Sequence, residues 1–196
     1  MFVQIIEGRT TRGEELLARG ESWQQELRPG AEGFLGVTAG VTSDGRAITI
    51  VRFEDQAKAE ANAARPEQGA WWEQTSELYD GEVTFTNSSD ITEWHGGGSN
   101  DAGFVQVMKS TGVDRSQIEK MDAVFEEHMH LRPDLLGGLR IWTGKDSCVD
   151  VAYFTSEAEA RAGEKAEMPP EVTELMGDFE GMGETEYLDL TNPQLR

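Results

Sequence analysis

Residues 2–7 open the chain with a short β-rich run in which Val3 and Ile5 share one face and Phe2, Gln4 and Ile6 share the other. Both faces are largely apolar, so neither is built for water. From Thr11 to Leu27 the period changes. Leu16, Leu17, Gly20, Trp23 and Leu27 recur at helical spacing, and Pro29-Gly30 ends the helix. Two further strands, 34–41 and 47–53, flank Ser43-Asp44-Gly45, a hairpin turn signal because Asp-Gly accepts positive φ angles. Asp55 caps a second helix over 58–64, Pro66 forces a fresh start, and the helix resumes through Trp71, Trp72 and Leu78. Gly81 stops it, and residues 82–86 form a fourth strand.

The same pattern is then repeated. Phe2-Val3-Gln4-Ile5-Ile6 returns as Phe104-Val105-Gln106-Val107-Met108, and Leu27-Arg28-Pro29 as Leu131-Arg132-Pro133. Arg52-Phe53-Glu54-Asp55 aligns with Tyr153-Phe154-Thr155-Ser156, and Tyr79-Asp80-Gly81 with Phe179-Glu180-Gly181. Four matches in one order, at offsets between 100 and 104, identify an internal repeat. The second copy places helices over 115–131 and 156–179, with Pro169-Pro170 in the place of Pro66. The chain divides into a first β-α-β-β-α-β repeat (1–87), a glycine-rich linker (88–101) and a second repeat (102–196). Gly96-Gly97-Gly98 in that linker is a connector, since no helix follows it to hold a phosphate. Each repeat folds as a ferredoxin-like antiparallel sheet with both helices on one face. The exposed apolar face of each is expected to pack on the other, giving an α+β barrel within one chain.

Charge narrows the partners. With 37 acidic against 17 basic residues the formal net charge is −20, which repels nucleic-acid backbones and anionic membranes. No apolar run reaches the roughly 18 residues of a membrane span, and the N-terminus lacks the features of a signal peptide. Cys148, alone of its kind, excludes an internal disulfide and a multi-cysteine metal site, and a reducing cytoplasm is the expected compartment. Its acidic neighbours Asp146 and Asp150 disfavour a thiolate nucleophile.

The order of elements, the Phe53-Glu54-Asp55 ending of the third strand and the run Ala59-x-x-Asn62-x-x-Arg65-Pro66 resemble the dimeric α+β barrel superfamily. In appearance they come nearest its antibiotic biosynthesis monooxygenase-like group. The resemblance implies a pocket and leaves the reaction open. Members pair two chains, whereas here both halves lie in one, so a monomer or weak homodimer is expected. Asn62 falls where that group carries histidine or asparagine, and the second copy has Gly163 there. The haem-degrading branch has its proximal histidine near Trp72, so the resemblance implies no haem, and no other cofactor is expected.

The candidate ligand-binding residues are Gln4, Arg52, Asn62, Trp72, Gln106, His128 and Tyr153. Gln4 and Gln106 place amides within apolar runs, where each must find a backbone group, a water or a ligand. Arg52, on the opposite strand face from Val51 and Phe53, is expected in the lumen beside its counterpart Tyr153. Trp71 and Trp72 lie about 100° apart, so one can face the core while the other borders a pocket or the surface, and core packing is the expectation for both. His128 continues the stripe of Met121, Val124 and Phe125, while His130 is expected on a nearly opposite face, so the two specify no metal site. Two functions remain open. One is a pocket for a small aromatic or apolar organic molecule, with cofactor-independent monooxygenase-like chemistry as its catalytic form. The other is a structural, regulatory or stress-responsive barrel without catalysis.

Overall fold

A computed structural model describes residues 1–167, 169–170, 172–174 and 183–196. Among these, ten strands form two five-stranded antiparallel α+β sheets that share no strand pairing, so the strands do not close into one hydrogen-bonded barrel. The chain separates into a first unit, Met1–Ile91 with Asn192–Arg196, and a second, Thr92–Thr191.

In the first unit β1 (Phe2–Arg9) is followed by α1 (Gly13–Glu26), the hairpin of β2 (Phe34–Val41) and β3 (Arg46–Phe53), α2 (Gln56–Ala63), α3 (Pro66–Ser76) and β4 (Thr84–Ser88). Next come β5 (Ile91–Trp94), β6 (Phe104–Thr111), α4 (Arg115–His128), β7 (Leu135–Trp142), β8 (Ser147–Phe154), α5 (Glu157–Gly163), β9 (Glu184–Leu190) and β10 (Gln194–Leu195). Strand order is β10-β2-β3-β1-β4 in one sheet and β5-β7-β8-β6-β9 in the other, the same topology twice. Asp55 and Ser156 cap α2 and α5 by accepting from Lys58 N (2.8 Å) and Glu159 N (3.3 Å), and Pro66 opens α3. Each cap satisfies a backbone N–H that the first helical turn leaves unpaired.

Three expectations change. The fourth strand lies two residues later than its alternation predicts. The stretch read as a connector contains β5, which joins the second sheet, and the last five residues belong to the first unit, with Gln194–Leu195 as the edge strand of its sheet. Of the predicted helix 156–179, the described residues show α5 over Glu157–Gly163 and helical conformation at 170 and 172–174; its match at Phe179-Glu180-Gly181 lies outside the described residues.

Register decides which side chains meet. Gln4 lies opposite Val51 and Asn87, and Val3 opposite Arg52. Phe2, Gln4, Ile6, Thr49, Val51 and Phe53 therefore share one face of the first sheet, while Val3, Ile5, Ile48, Ile50 and Arg52 share the other. The apolar members of that second face are at most 1 % exposed. In the second unit Gln106 lies opposite Ala152 and Asp189, and Val105 opposite Tyr153, which repeats the division.

Candidate functional site

The first unit encloses a cavity of about 370 Å³, the size of a small-ligand site. Its floor is the Gln4 face of the sheet. Its roof comes from α1 at Gly20 and Trp23, from α2 at Asn62 and from α3 at Trp71 and Trp72. Gln194 and Arg196, from the C-terminal edge strand, complete the wall.

Aromatic rings dominate the lining. Trp23 stands 5.1 Å from Phe34, Phe34 stands 5.9 Å from Phe53, and Trp72 stands 5.2 Å from Phe85 edge-on. Both Trp71 and Trp72 border the space, their rings 6.5 Å apart and tilted by 38°, and both also pack on the core, Trp71 against Trp23 and Leu27 and Trp72 against Leu16 and Tyr79. The cavity is wide enough for adjacent helix positions to reach it. Arg19 fixes Trp71 by lying over its ring at 5.5 Å and donating to its carbonyl oxygen at 3.3 Å.

Polar groups sit among the rings at few points. Asn62 is buried, and its Oδ1 accepts from Arg65 Nη1 at 2.9 Å. Arg65 also donates to the Leu27 carbonyl at 3.0 Å and to Glu67 at 2.9 Å, so it orients the amide and ties α3 to the end of α1. With Oδ1 engaged, the amide N–H groups are the part of Asn62 without a hydrogen bond among the described residues. Trp23 Nε1 donates to Gln68 Oε1 at 2.6 Å. Two buried polar atoms of lining residues, Trp71 Nε1 and Gln24 Oε1, have no partner. Leaving such an atom unpaired costs about 1–3 kcal/mol, so each favours a complementary ligand atom. At the rim Arg196 pairs with Glu21 at 2.7 Å. No histidine or cysteine is among the lining residues, and the described residues contain no cluster of three or more potential metal ligands. No described helix is long and apolar enough to cross a membrane.

Among the described residues, the second unit places charged side chains at the equivalent positions. Gly20 and Asp122 are each the eighth residue of their helices. Thr49 lies opposite Ile6 and Ala39, and Asp150 lies opposite Met108 and Arg140. Where the first unit has Gly20, Ala39 and Thr49, the second therefore has Asp122, Arg140 and Asp150. These three ion-pair, with Arg140 Nε 2.7 Å from Asp150 and Nη1 against Asp122. Burial works against the Arg140 charge, but Asp150 and Asp122 outweigh it and hold its pKa above the ordinary value. The Gln4–Asn87 hydrogen bond (3.1 Å) has its counterpart in Gln106–Asp189 (3.0 Å), to which Arg161 is added, bonded to Asp189 and lying 5.3 Å over Phe104. Trp94 from β5 packs directly on Gly138, and Arg132 packs on Gly163.

Of the seven candidates, the structure brings Gln4, Asn62 and Trp72 to the cavity. Arg52 is on the opposite sheet face, because its register with Val3 puts it one residue out of phase with Gln4; its Nε is buried without a partner. The single lumen expected to hold both Gln4 and Arg52 is thus excluded by the period of the strand. Gln106 is in the second unit, closed over by Asp189 and Arg161. Tyr153 shares the buried Val105 face. His128 ends α4, its Nδ1 2.9 Å from the Val124 carbonyl oxygen. Because the chain tightens into a 3-10 turn there, the His128 and His130 rings stack 6.4 Å apart instead of lying on opposite faces. Sequence reading misses Gln24, the end wall of Gln194 and Arg196, and the three small residues that make the space. The last are readable by setting the two repeats side by side.

No family model and no curated protein matches the chain. Solved structures do. A provisionally named monooxygenase of Lactobacillus acidophilus is 12% identical, with 100% of this chain and 99% of that one covered at a TM-score of 0.70. Another provisionally named monooxygenase, of Fusobacterium nucleatum, is 10% identical over 100% and 93% of the two chains, at a TM-score of 0.77. An anthrone oxidase-like protein is 12% identical over 100% and 92%, at a TM-score of 0.63. The chain has the ferredoxin-like α+β fold of these monooxygenase-like proteins along its whole length.

Two outcomes follow from the filled unit. Arg140→Ala leaves Asp150 buried and unpaired and should cost about 3–5 kcal/mol in urea unfolding, whereas Arg140→Met with Asp150→Leu should recover most of it. Burial first, then Asp150, pushes the Cys148 thiol up to about 12. A thiol-reactive disulfide reagent at pH 8 should therefore leave the native chain unlabelled and modify one thiol per chain once it is unfolded.

Proposed function

We propose that the first unit binds a small, predominantly apolar aromatic molecule between its sheet and its helices. One observation carries this reading: an aromatic-lined cavity occurs where the second unit, with the same topology, places ion-paired side chains. The lining suits a flat neutral ligand. Trp23, Trp71 and Trp72 offer ring faces, Asn62 and Trp71 offer N–H donors, and Gln24 offers an acceptor. Gln4 and Trp72 are assigned as ligand contacts, with Asn62 as the orienting polar group. The three tryptophans have pre-set positions, which lowers the ordering cost of binding.

A second reading, cofactor-independent oxygenation, is supported by the fold shared with proteins named as monooxygenases or as anthrone oxidase-like and by the same two donors. A cyclic aryl ketone that loses a proton from a ring methylene conjugated with its carbonyl becomes an enolate or phenolate anion, and that anion is itself the reductant of molecular oxygen. Asn62 and Trp71 would stabilise its oxygen in a site screened from water. At a methylene carbon the reaction balances as one methylene group and one molecule of oxygen giving one carbonyl group and one molecule of water. Both carbon–hydrogen bonds break, one oxygen atom becomes the carbonyl oxygen, and the other leaves as the water. The rim acids Glu21 and Glu60 are the carboxylates within reach of the cavity, and Glu60 is the one not held by a cation, so it is assigned as the proton acceptor.

A neutral naphthyl ketone dye, whose emission shifts to the blue out of water, should bind with one site per chain. Asn62→Ala should weaken it about fivefold to tenfold, the effect of one hydrogen bond of about 1 kcal/mol. A dye emission unchanged by the protein at any concentration would refute the binding reading. Oxygen uptake with an anthrone-type substrate, lost in Asn62→Ala, separates catalysis from binding alone.

A further inference from the structure

The cavity's end wall is made by the strand furthest from it in sequence. β10 contributes only two residues, paired as Gln194 with Ala39 and Leu195 with Thr38, and is continued by Arg196, whose backbone exchanges bonds of 2.8 and 3.1 Å with Val37. Leu195 is buried on the opposite face, so alternation sends Gln194 and Arg196 toward the cavity, which both line. Each is tied across the gap to α1. Gln194 Nε2 donates to the Leu17 carbonyl oxygen at 3.0 Å, and its Oε1 lies 2.9 Å from where a Cβ on Gly20 would stand. Arg196 Nη2 meets Glu21 at 2.7 Å. Together they bridge the helix and the outer edge of the sheet.

The second unit shows what this strand position can do. Its fifth strand, β5, is laid against β7 as β10 is laid against β2, and it places Trp94 on Gly138. Gly138, opposite Ala152, corresponds to Val37, opposite Val51. Trp94 there packs with Phe104, Ala152 and Phe154 and fills the space. The fifth strand thus sets how much room the sheet face offers: little beneath an indole, more beside a glutamine and an arginine held back by α1.

We propose that Gln194 and Arg196 are the specificity-determining residues of the cavity, limiting the length of the aromatic ring system it accepts. This rests on the binding reading above. Glu21 and Glu60 are acids of the cavity lining, and Glu21 pairs with Arg196 and neutralises it. The wall therefore selects by length and not by attracting an anion.

Two neutral aryl ketones test this: an acetylnaphthalene and the longer acetylpyrene, with dissociation constants read from tryptophan quenching. The native chain should prefer the naphthalene. Gln194→Ala with Arg196→Ala should improve acetylpyrene at least tenfold while moving acetylnaphthalene by no more than about threefold, and each single variant should shift the ratio the same way. A ratio unchanged within about twofold, or an equal loss of both probes from a variant that melts at the native temperature, overturns the proposal. Should the double variant melt early, Gln194→Ala alone keeps the Arg196–Glu21 pair and carries the same comparison. Failure of the native chain to bind either ketone overturns the binding reading and this proposal together. Native binding with a fixed ratio overturns this proposal alone.

Discussion

A β-sheet exposes two faces, and each apolar face must be covered by something of matching shape. In both units of this chain the face carrying the repeated glutamine, Gln4 or Gln106, turns toward its helices. Side-chain volume at three places decides what happens beneath them. Gly20, Ala39 and Thr49 are too small to meet across the layer, whereas Asp122, Arg140 and Asp150 reach one another and ion-pair. One topology thus yields a cavity in the first unit and a polar plug in the second.

The plug is costly to break. A buried guanidinium needs all its partners, and Arg140 has two carboxylates. Arg161 adds a second ion-paired centre by bonding Asp189 and covering Phe104. The cavity is built on different terms. Asn62 and Trp71 are held by neighbours outside it, Arg65 and Arg19, and two buried polar atoms of its lining are left without partners. Rigid supports with unspent hydrogen-bonding capacity are the arrangement a ligand site needs.

Much of this architecture is legible in the residues. Alternation in Phe2–Ile6, the Asp44-Gly45 turn, the Asp55 cap and Pro66 place the elements, and the repeat of Phe2-Val3-Gln4 at Phe104-Val105-Gln106 announces two matching units. Gln4, Asn62 and Trp72 can be found because two stand out in polarity and one in size. Alternation correctly sets Arg52 apart from Val51 and Phe53, but Gln4, opposite Val51, cannot share a lumen with it, which only the cross-strand register shows. The edge strands β5 and β10 are not legible. Each is too short to show a period, and the second pairs with residues far behind it in the chain. The cavity itself is hidden for another reason: it is made by what Gly20 and Ala39 lack, and only comparison with Asp122 and Arg140 exposes that.

Xenon enters apolar cavities and leaves packed polar sites alone, so a crystal of the protein under xenon pressure tests the account most directly. Xenon density should appear in the first unit among Trp23, Trp71 and Val51, and none should appear in the second unit beside Arg140. Density beside Arg140, or its absence beside Trp71, would contradict the division into one open and one plugged unit.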